Sequence, residues 1–281
     1  MSRKPVGLQQ RLITAVVLAV ALVVLVFALP PWVTLLAVVL AILGGAWEWS
    51  AFIAVGAKAL RVSYVALIGV ALGLGWVATD TEAAFSLLLF AACLWWLVAL
   101  FWVMLGPQRG GPISAAVAGV CALVPAGVAL ARLRLEPDGA ALLVFALLVV
   151  MAADVGAYFA GHAFGRTKLA PDVSPGKTWE GVLGGFLVSV IIAAIGAQIF
   201  DWPVALLVLL ALGAAAFSVV GDLIESLMKR HSGLKDSGSL FPGHGGLLDR
   251  LDSLTAGIPL FVLGLLKAGL IGAVGLPGWL E

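Results

Sequence analysis

The segment Ala140–Gly161, AALLVFALLVVMAADVGAYFAG, carries one charged residue in 22. A helix needs about 20 predominantly apolar residues to cross about 30 Å of hydrocarbon, and this run is long enough to do so. Its single acid, Asp154, stands four residues before Tyr158, so both side chains share one helix face. Outward from it, further apolar runs recur at about 11–29, 32–54, 61–79, 84–105, 113–131, 181–200, 203–225 and 253–275. The run at 113–131 is the least regular, because Pro125 and several Gly and Ala dilute it. These runs predict an all-α, polytopic integral membrane protein of about nine transmembrane helices. Composition agrees: 63% of the residues are apolar and 11% charged, where a soluble domain carries about 25% charge. That deficit excludes an ordinary soluble enzyme and a disordered chain. A formal charge of +1 gives no electrostatic case for nucleic acid. Cys93 and Cys121 both lie in apolar runs and read as buried reduced thiols, not as a disulfide framework or a zinc cluster.

Lys and Arg gather on the cytoplasmic side of membranes. A cytoplasmic N-terminus places Arg3, Lys4, Arg11, Lys58, Arg61, Arg109, Arg166, Lys168, Lys177, Lys229, Arg230, Lys235 and Arg250 on that side. Arg132 and Arg134 fall outside, and Lys267 lies in the last span, where it snorkels or bridges helices. The outer loops hold Asp80, Glu82, Glu136, Asp138 and Asp201, and Trp32, Trp76, Trp202 and Trp279 mark outer helix ends. The first run resembles a signal peptide but reaches Pro30 without a small-residue cleavage site, so it reads as a retained anchor.

Two cytoplasmic loops differ from the short outer ones: 161–180 and 226–252, both rich in Gly, Pro, Ser and charge. Residues 1–135 therefore read as a helical scaffold and 136–281 as the catalytic half. Ionisable groups within a membrane are functional suspects because they cost several kcal/mol unless paired or hydrated. Asp154 is one. Asp222, Glu225 and Lys229 follow at spacings of three and four on one face, and Asp249 and Asp252 open the last helix three apart. Glu48, in Trp47-Glu48-Trp49, is a buried acid near the inner end of the second span, as readily interhelical glue as functional.

Ser174-Pro-Gly-Lys177-Thr178-Trp-Glu-Gly181 contains Gly-Lys-Thr, but Pro171 stands where a P-loop needs its first glycine and no strand precedes it. What survives is a tight turn with two hydroxyls and an ammonium at a helix N-terminus, a setting that favours an anion such as a phosphate. From Ser226 to Ser253 the chain offers Lys229, Arg230, Lys235 and Arg250 among Asp236, Asp249, Asp252 and five glycines, Gly245 and Gly246 among them. Carboxylates without clustered Cys or His select a hard cation, Mg²⁺ over Zn²⁺, and neighbouring cations suit a polyphosphate. His244 reads as a ligand, a base or a hydrogen bond tying the glycine loop; His162 and His231 read as polar loop residues.

The stretch Ser226-x₂-Lys229-Arg230-x₄-Lys235-Asp236, followed by Pro242-x-His244-Gly245-Gly246 and Asp249-Arg250-x-Asp252, resembles the signature of phosphatidate cytidylyltransferases, the CDP-diacylglycerol synthases of bacterial membranes. Asp154, Tyr158, Gly161, Gly165-Arg166, the 174–181 run and Gly221-Asp222-x₂-Glu225 are similar to that family too. The resemblance implies transfer of a cytidylyl group from CTP to phosphatidic acid, releasing pyrophosphate, with Mg²⁺ and room for a second cation such as K⁺. It implies metal binding at Asp222 and Asp249, and phosphate binding at Lys229, Arg230, Lys235 and Arg250. Ser174, Lys177 and Thr178 would hold the triphosphate or the lipid headgroup; Ser226, His244, Gly245 and Gly246 would shape the substrate site. Asp154, Tyr158, Glu225, Asp236 and Asp252 would be supporting groups or further ligands. The resemblance also implies a homodimer in the bacterial cytoplasmic (inner) membrane, among membrane lipids, with its site facing the cytoplasm. A CTP-dependent polyprenol kinase is the nearest rival. A secondary transporter is a weaker one, since the polar groups lie on one side and no inverted repeat is visible. The Asp-Gly-x-x-Ala-Arg start of a CDP-alcohol phosphatidyltransferase is missing, because Asp138-Gly139 continues with Ala-Ala-Leu-Leu.

Overall fold

The computed structural model of the protein describes residues 17, 19–53, 56–108, 110–234, 237–238 and 246–272. Along them run α1 (Ala19–Ala28, closing in a π-helical turn over Val24–Ala28), α2 (Pro31–Ile53), α3 (Lys58–Ala78), α4 (Glu82–Leu105), α5 (Pro112–Leu135) and α6 (Gly139–Phe164). A hairpin of β1 (Lys168–Ala170) and β2 (Ser174–Thr178) follows, then α7 (Trp179–Phe200), α8 (Val204–Ser232) and α9 (Leu248–Lys267). Seven of the helices, α2 to α8, are long and apolar enough to cross a membrane. Leu36, Leu74, Phe101, Leu183 and Leu209 project outward from them, an exterior suited to hydrocarbon rather than water. The chain is therefore a multi-pass, all-α membrane protein. α9 differs from those seven: its first turns carry Asp249, Arg250 and Asp252. It nevertheless packs against α8, α4, α5, α6 and α2, and Ile258, Phe261 and Val262 are fully buried. Part of the first apolar run, with Arg3, Lys4 and Arg11, lies outside the described residues, as do Arg109 and Trp279.

The polar segments are more ordered than the sequence reading allowed. α6 continues to Phe164 and α8 to Ser232, so Ser226, Lys229, Arg230 and His231 stand on a helix and not in a loop. His162 likewise belongs to the last turn of α6. Ser174–Thr178 is not a tight turn but a strand, antiparallel to β1 with Thr178 opposite Lys168 and Ser174 opposite Ala170. The turn lies earlier, where the Val173 N–H donates to the Ala170 carbonyl at 3.2 Å. Arg132 and Arg134 are not loop residues either. Both are buried in the last turn of α5, Arg132 stacked over Trp76 and donating to its carbonyl, Arg134 donating to the Val26 carbonyl. These bonds satisfy helix-end carbonyls while the guanidinium stays fixed.

Small residues set the spacing of the half that holds the site. α6 and α7 pack more extensively than any other pair. A Cβ at Gly156 would meet the Gly184 carbonyl, and one at Gly185 the Ala153 carbonyl, so the two backbones touch. Close approach through small residues is a principal source of helix association in lipid, where burial from water is unavailable. The same device joins α8 to α9, where a Cβ at Gly221 would strike the Asp252 carbonyl. These two contacts bring Asp154, Asp222 and Asp252 to the same end of the bundle.

Candidate active site

Thr178 ends β2 and caps α7: its Oγ1 accepts from the Gly181 N–H at 3.2 Å. Glu180 in the first turn accepts from the Arg166 and Thr167 N–H groups, tying the start of the hairpin to the start of α7. With both ends of the hairpin fixed, Lys177 reaches across to α8. Its Nζ lies 2.5 Å from Asp222 Oδ2 and 3.4 Å from the Val219 carbonyl. The Ser226 hydroxyl donates to Asp222 Oδ1 at 3.4 Å. One turn on, Lys229 is shared by two acids, 2.8 Å from Glu225 Oε1 and 2.5 Å from Asp249 Oδ1. Asp249 also accepts the Gly246 N–H at 2.7 Å, which ties the segment before α9 to the helix's first turn. Asp154 accepts from the Ser253 hydroxyl at 3.0 Å, which fastens α6 to α9.

These groups surround a cavity of about 500 Å³. Asp154, Asp222, Asp249 and Asp252 line it, with Lys177, Arg250, Thr178, Ser218 and Ser253. Its remaining wall is apolar, from Ala153, Ala157, Val182, Phe186, Ala215 and Val219. Tyr158 lies at the border, stacked on His162 with ring centroids 6.2 Å apart. Among the described residues, no three metal-ligating side chains converge on one point. The carboxylates instead meet ammonium groups, so cationic charge already sits against Asp222 and Asp249.

Not every residue named from the sequence lines this cavity. Glu225 is buried beneath it and engages Lys229, and Ser226 acts through Asp222. Arg230 points to the hairpin, its Nε donating to the Val173 carbonyl at 3.3 Å. Ser174 pairs within the hairpin, and Gly246 lies beside Asp249. Lys235, Asp236, His244 and Gly245 lie outside the described residues. Sequence reasoning gave no role to Ser253, although it adjoins Asp252, or to Ser218. It left Glu48 open, and its buried carboxylate accepts the Leu248 N–H at 2.7 Å.

The fold and site define a multi-pass membrane protein with one cavity in which four aspartates, Lys177 and Arg250 meet apolar side chains. The chain belongs to the cytidylyltransferase family, whose model matches residues 9–266, and is accordingly a nucleotidyltransferase. It is similar to proteins named phosphatidate cytidylyltransferase. That of Haemophilus influenzae is 38% identical over 280 residues, covering 90% of this chain and 97% of the relative. That of Pseudomonas aeruginosa is 40% identical over 269 residues, covering 93% and 98%. That of Bacillus subtilis is 41% identical over 128 residues, 45% of this chain.

Proposed function

We propose that the protein is a phosphatidate cytidylyltransferase of the bacterial inner membrane, with residues 136–281 as the catalytic half and its site open to the cytoplasm. The observation that carries this reading is the make-up of one cavity, which Lys177, Arg250 and four aspartates line together with apolar side chains. A soluble nucleotide and a lipid phosphate need that combination. An oxygen of the lipid phosphate attacks the α-phosphorus of CTP, the bond from that phosphorus to the bridging oxygen breaks, and pyrophosphate leaves with the electron pair. No side-chain base is required, because the attacking phosphate is already ionised near neutral pH. Lys177 and Arg250 bind and orient phosphate oxygens, and Thr178 offers a hydroxyl beside them. Lys229 holds Asp249 in place from below, and Arg230 fixes the hairpin that carries Lys177. The residues act mainly by positioning and by neutralising charge.

The donor set fits Mg²⁺. Asp222 and Asp249 are hard oxygen donors beside one cavity, and two carboxylates completed by phosphate and water oxygens is the arrangement this ion favours. A bound Mg²⁺ would neutralise the phosphates and polarise the reacting phosphoryl oxygen. A second cation such as K⁺ and a homodimer belong to the same reading.

The test uses purified protein in liposomes with phosphatidic acid, α-labelled CTP and Mg²⁺. Lipid-borne label is expected, and it is lost with EDTA or in Asp249→Asn. Absence of label from folded protein, with γ-label passing to a polyprenol, would replace this reading with a polyprenol kinase.

A further inference from the structure

We propose that Glu48 of α2 is a positioning residue for the site: it holds the start of α9, and with it Asp249 and Arg250, in register against α8. Glu48 lies 200 residues before Leu248, yet its Oε2 accepts the Leu248 N–H at 2.7 Å and the Ser237 hydroxyl at 3.5 Å. The carboxylate is buried, as are Leu248 and Ser237. Leu248 is the first residue of α9, so Glu48 satisfies one of the N–H groups that helix geometry leaves without an intrahelical partner. Asp249, the next residue, takes the Gly246 N–H itself. Glu48 thus holds the residue next to Asp249, while Asp249 ties back to the segment before the helix and lines the cavity.

The contact is shaped to fit. A Cβ at Gly238 or at Gly246 would run into the Glu48 carboxylate, so glycine at both positions leaves it room to enter. A turn earlier on α2, a Cβ at Gly44 would press on Leu247 and one at Gly45 on Leu251. The α2 surface from 44 to 48 is therefore a seat for 246–251, with Glu48 as its polar contact. Glu48 does not line the cavity, so it acts on the reaction through Asp249 and Arg250.

This inference rests on the cytidylyltransferase reading, and the experiment separates the two. Glu48→Ala, Glu48→Asp and Glu48→Gln are assayed for lipid-borne label from α-labelled CTP, alongside hydrogen exchange at the amides of 246–250. Glutamine keeps the length and an acceptor oxygen, whereas aspartate keeps the charge but is one methylene short of Leu248. Glu48→Ala and Glu48→Asp are expected to lower kcat by about tenfold to 10²-fold with KM for CTP little changed, the pattern of a misplaced reacting geometry. Glu48→Gln should retain most of kcat. The Leu248 amide should exchange faster in the first two variants only. Activity kept by Asp and lost by Gln would assign Glu48 an electrostatic role and overturn the proposal. Equal effects of all three, or unchanged protection of Leu248, would overturn it as well. If the wild type yields no labelled lipid, the functional reading fails while the exchange measurement still decides whether Glu48 holds α9.

Discussion

At the scale of single residues, two lysines do different work. Lys229 is largely buried between Glu225 and Asp249, and Glu225 is 1% exposed. Removing one member of such a group leaves a charge buried without its partner, at a cost of about 3–5 kcal/mol. Lys229→Met is therefore expected to lower the unfolding temperature sharply in detergent. Adding Glu225→Gln should recover a good part of the loss without restoring turnover, because Asp249 still lacks its ammonium. Lys177 is about as buried as Lys229, but its partner Asp222 is 35% exposed at the cavity wall and can be hydrated when the ammonium is removed. Lys177→Met should leave the unfolding temperature nearly unchanged and lower kcat/KM by about 10²-fold, the scale of one lost charge-stabilising donor. Sequence spacing revealed the Glu225–Lys229 pair, since four residues on a helix is contact distance. It paired Asp222 with that face as well, whereas Asp222 takes its ammonium from Lys177, 45 positions earlier along the chain in a hairpin. No local pattern carries a bond of that kind, and Glu48 to Leu248 is the same case at greater range.

Among the elements, the closest packing is where the sequence says least. Apolar length alone located α2 to α7 within a few residues, because hydrocarbon thickness fixes helix length, but it stopped α8 at about 225, two turns short of Ser232. It could not reveal which glycines serve packing, for Gly156, Gly184 and Gly185 look like any others among 34. Nor did it reveal β1 and β2, whose three and five residues carry Gly, Pro and Lys, residues poorly suited to strands. The hairpin exists because Glu180 and Thr178 hold its ends. Gly185→Val is expected to push α7 from α6, costing about 1–3 kcal/mol and lowering turnover by widening the cavity wall at Asp154. Leu183→Ala, on the lipid-facing side of the same helix, should change neither, and thermal unfolding with turnover compares the two. At the end of α5, Glu136 accepts the Gly272 N–H at 3.1 Å. Burial pushes its carboxyl above the ordinary glutamate range, partly offset by that bond. A carboxyl with a raised folded pKa binds its proton more tightly in the folded protein, so its contribution is fully present below the unfolded value, about 4.3. That contribution is lost as pH rises through the raised folded value. Glu136→Gln should flatten the fall in unfolding temperature across that window.

For the whole molecule, function depends on which face of the membrane each end of the bundle meets. The site lies between the last turns of α6, the first turns of α7 and α9, and the stretch of α8 from Ala215 to Asp222. The turns joining α3 to α4, α5 to α6 and α7 to α8 mark the opposite end. The proposed function needs the site's end to face the cytoplasm, and Lys58, Arg61, Arg166, Lys168, Lys177, Lys229, Arg230 and Arg250 lie toward that end, as the bias of basic residues to the inner side requires of such an orientation. The burial of Arg132 and Arg134 fits that orientation, because two cations that seemed to dissent are bound to backbone carbonyls inside the bundle. The proposed reaction consumes CTP, a cytoplasmic nucleotide, and therefore predicts this orientation. Asp172, in the hairpin, and Asp80, between α3 and α4, are both exposed, and replacing each in turn by cysteine gives a probe for either face. Cys93 and Cys121 are free thiols, the first buried and the second half-buried, so they are replaced by alanine beforehand. A membrane-impermeant maleimide added to intact spheroplasts should label Asp80→Cys, and label Asp172→Cys only after the membrane is opened. The reverse pattern would put the cavity on the side that lacks CTP, and the proposed reaction could not run there.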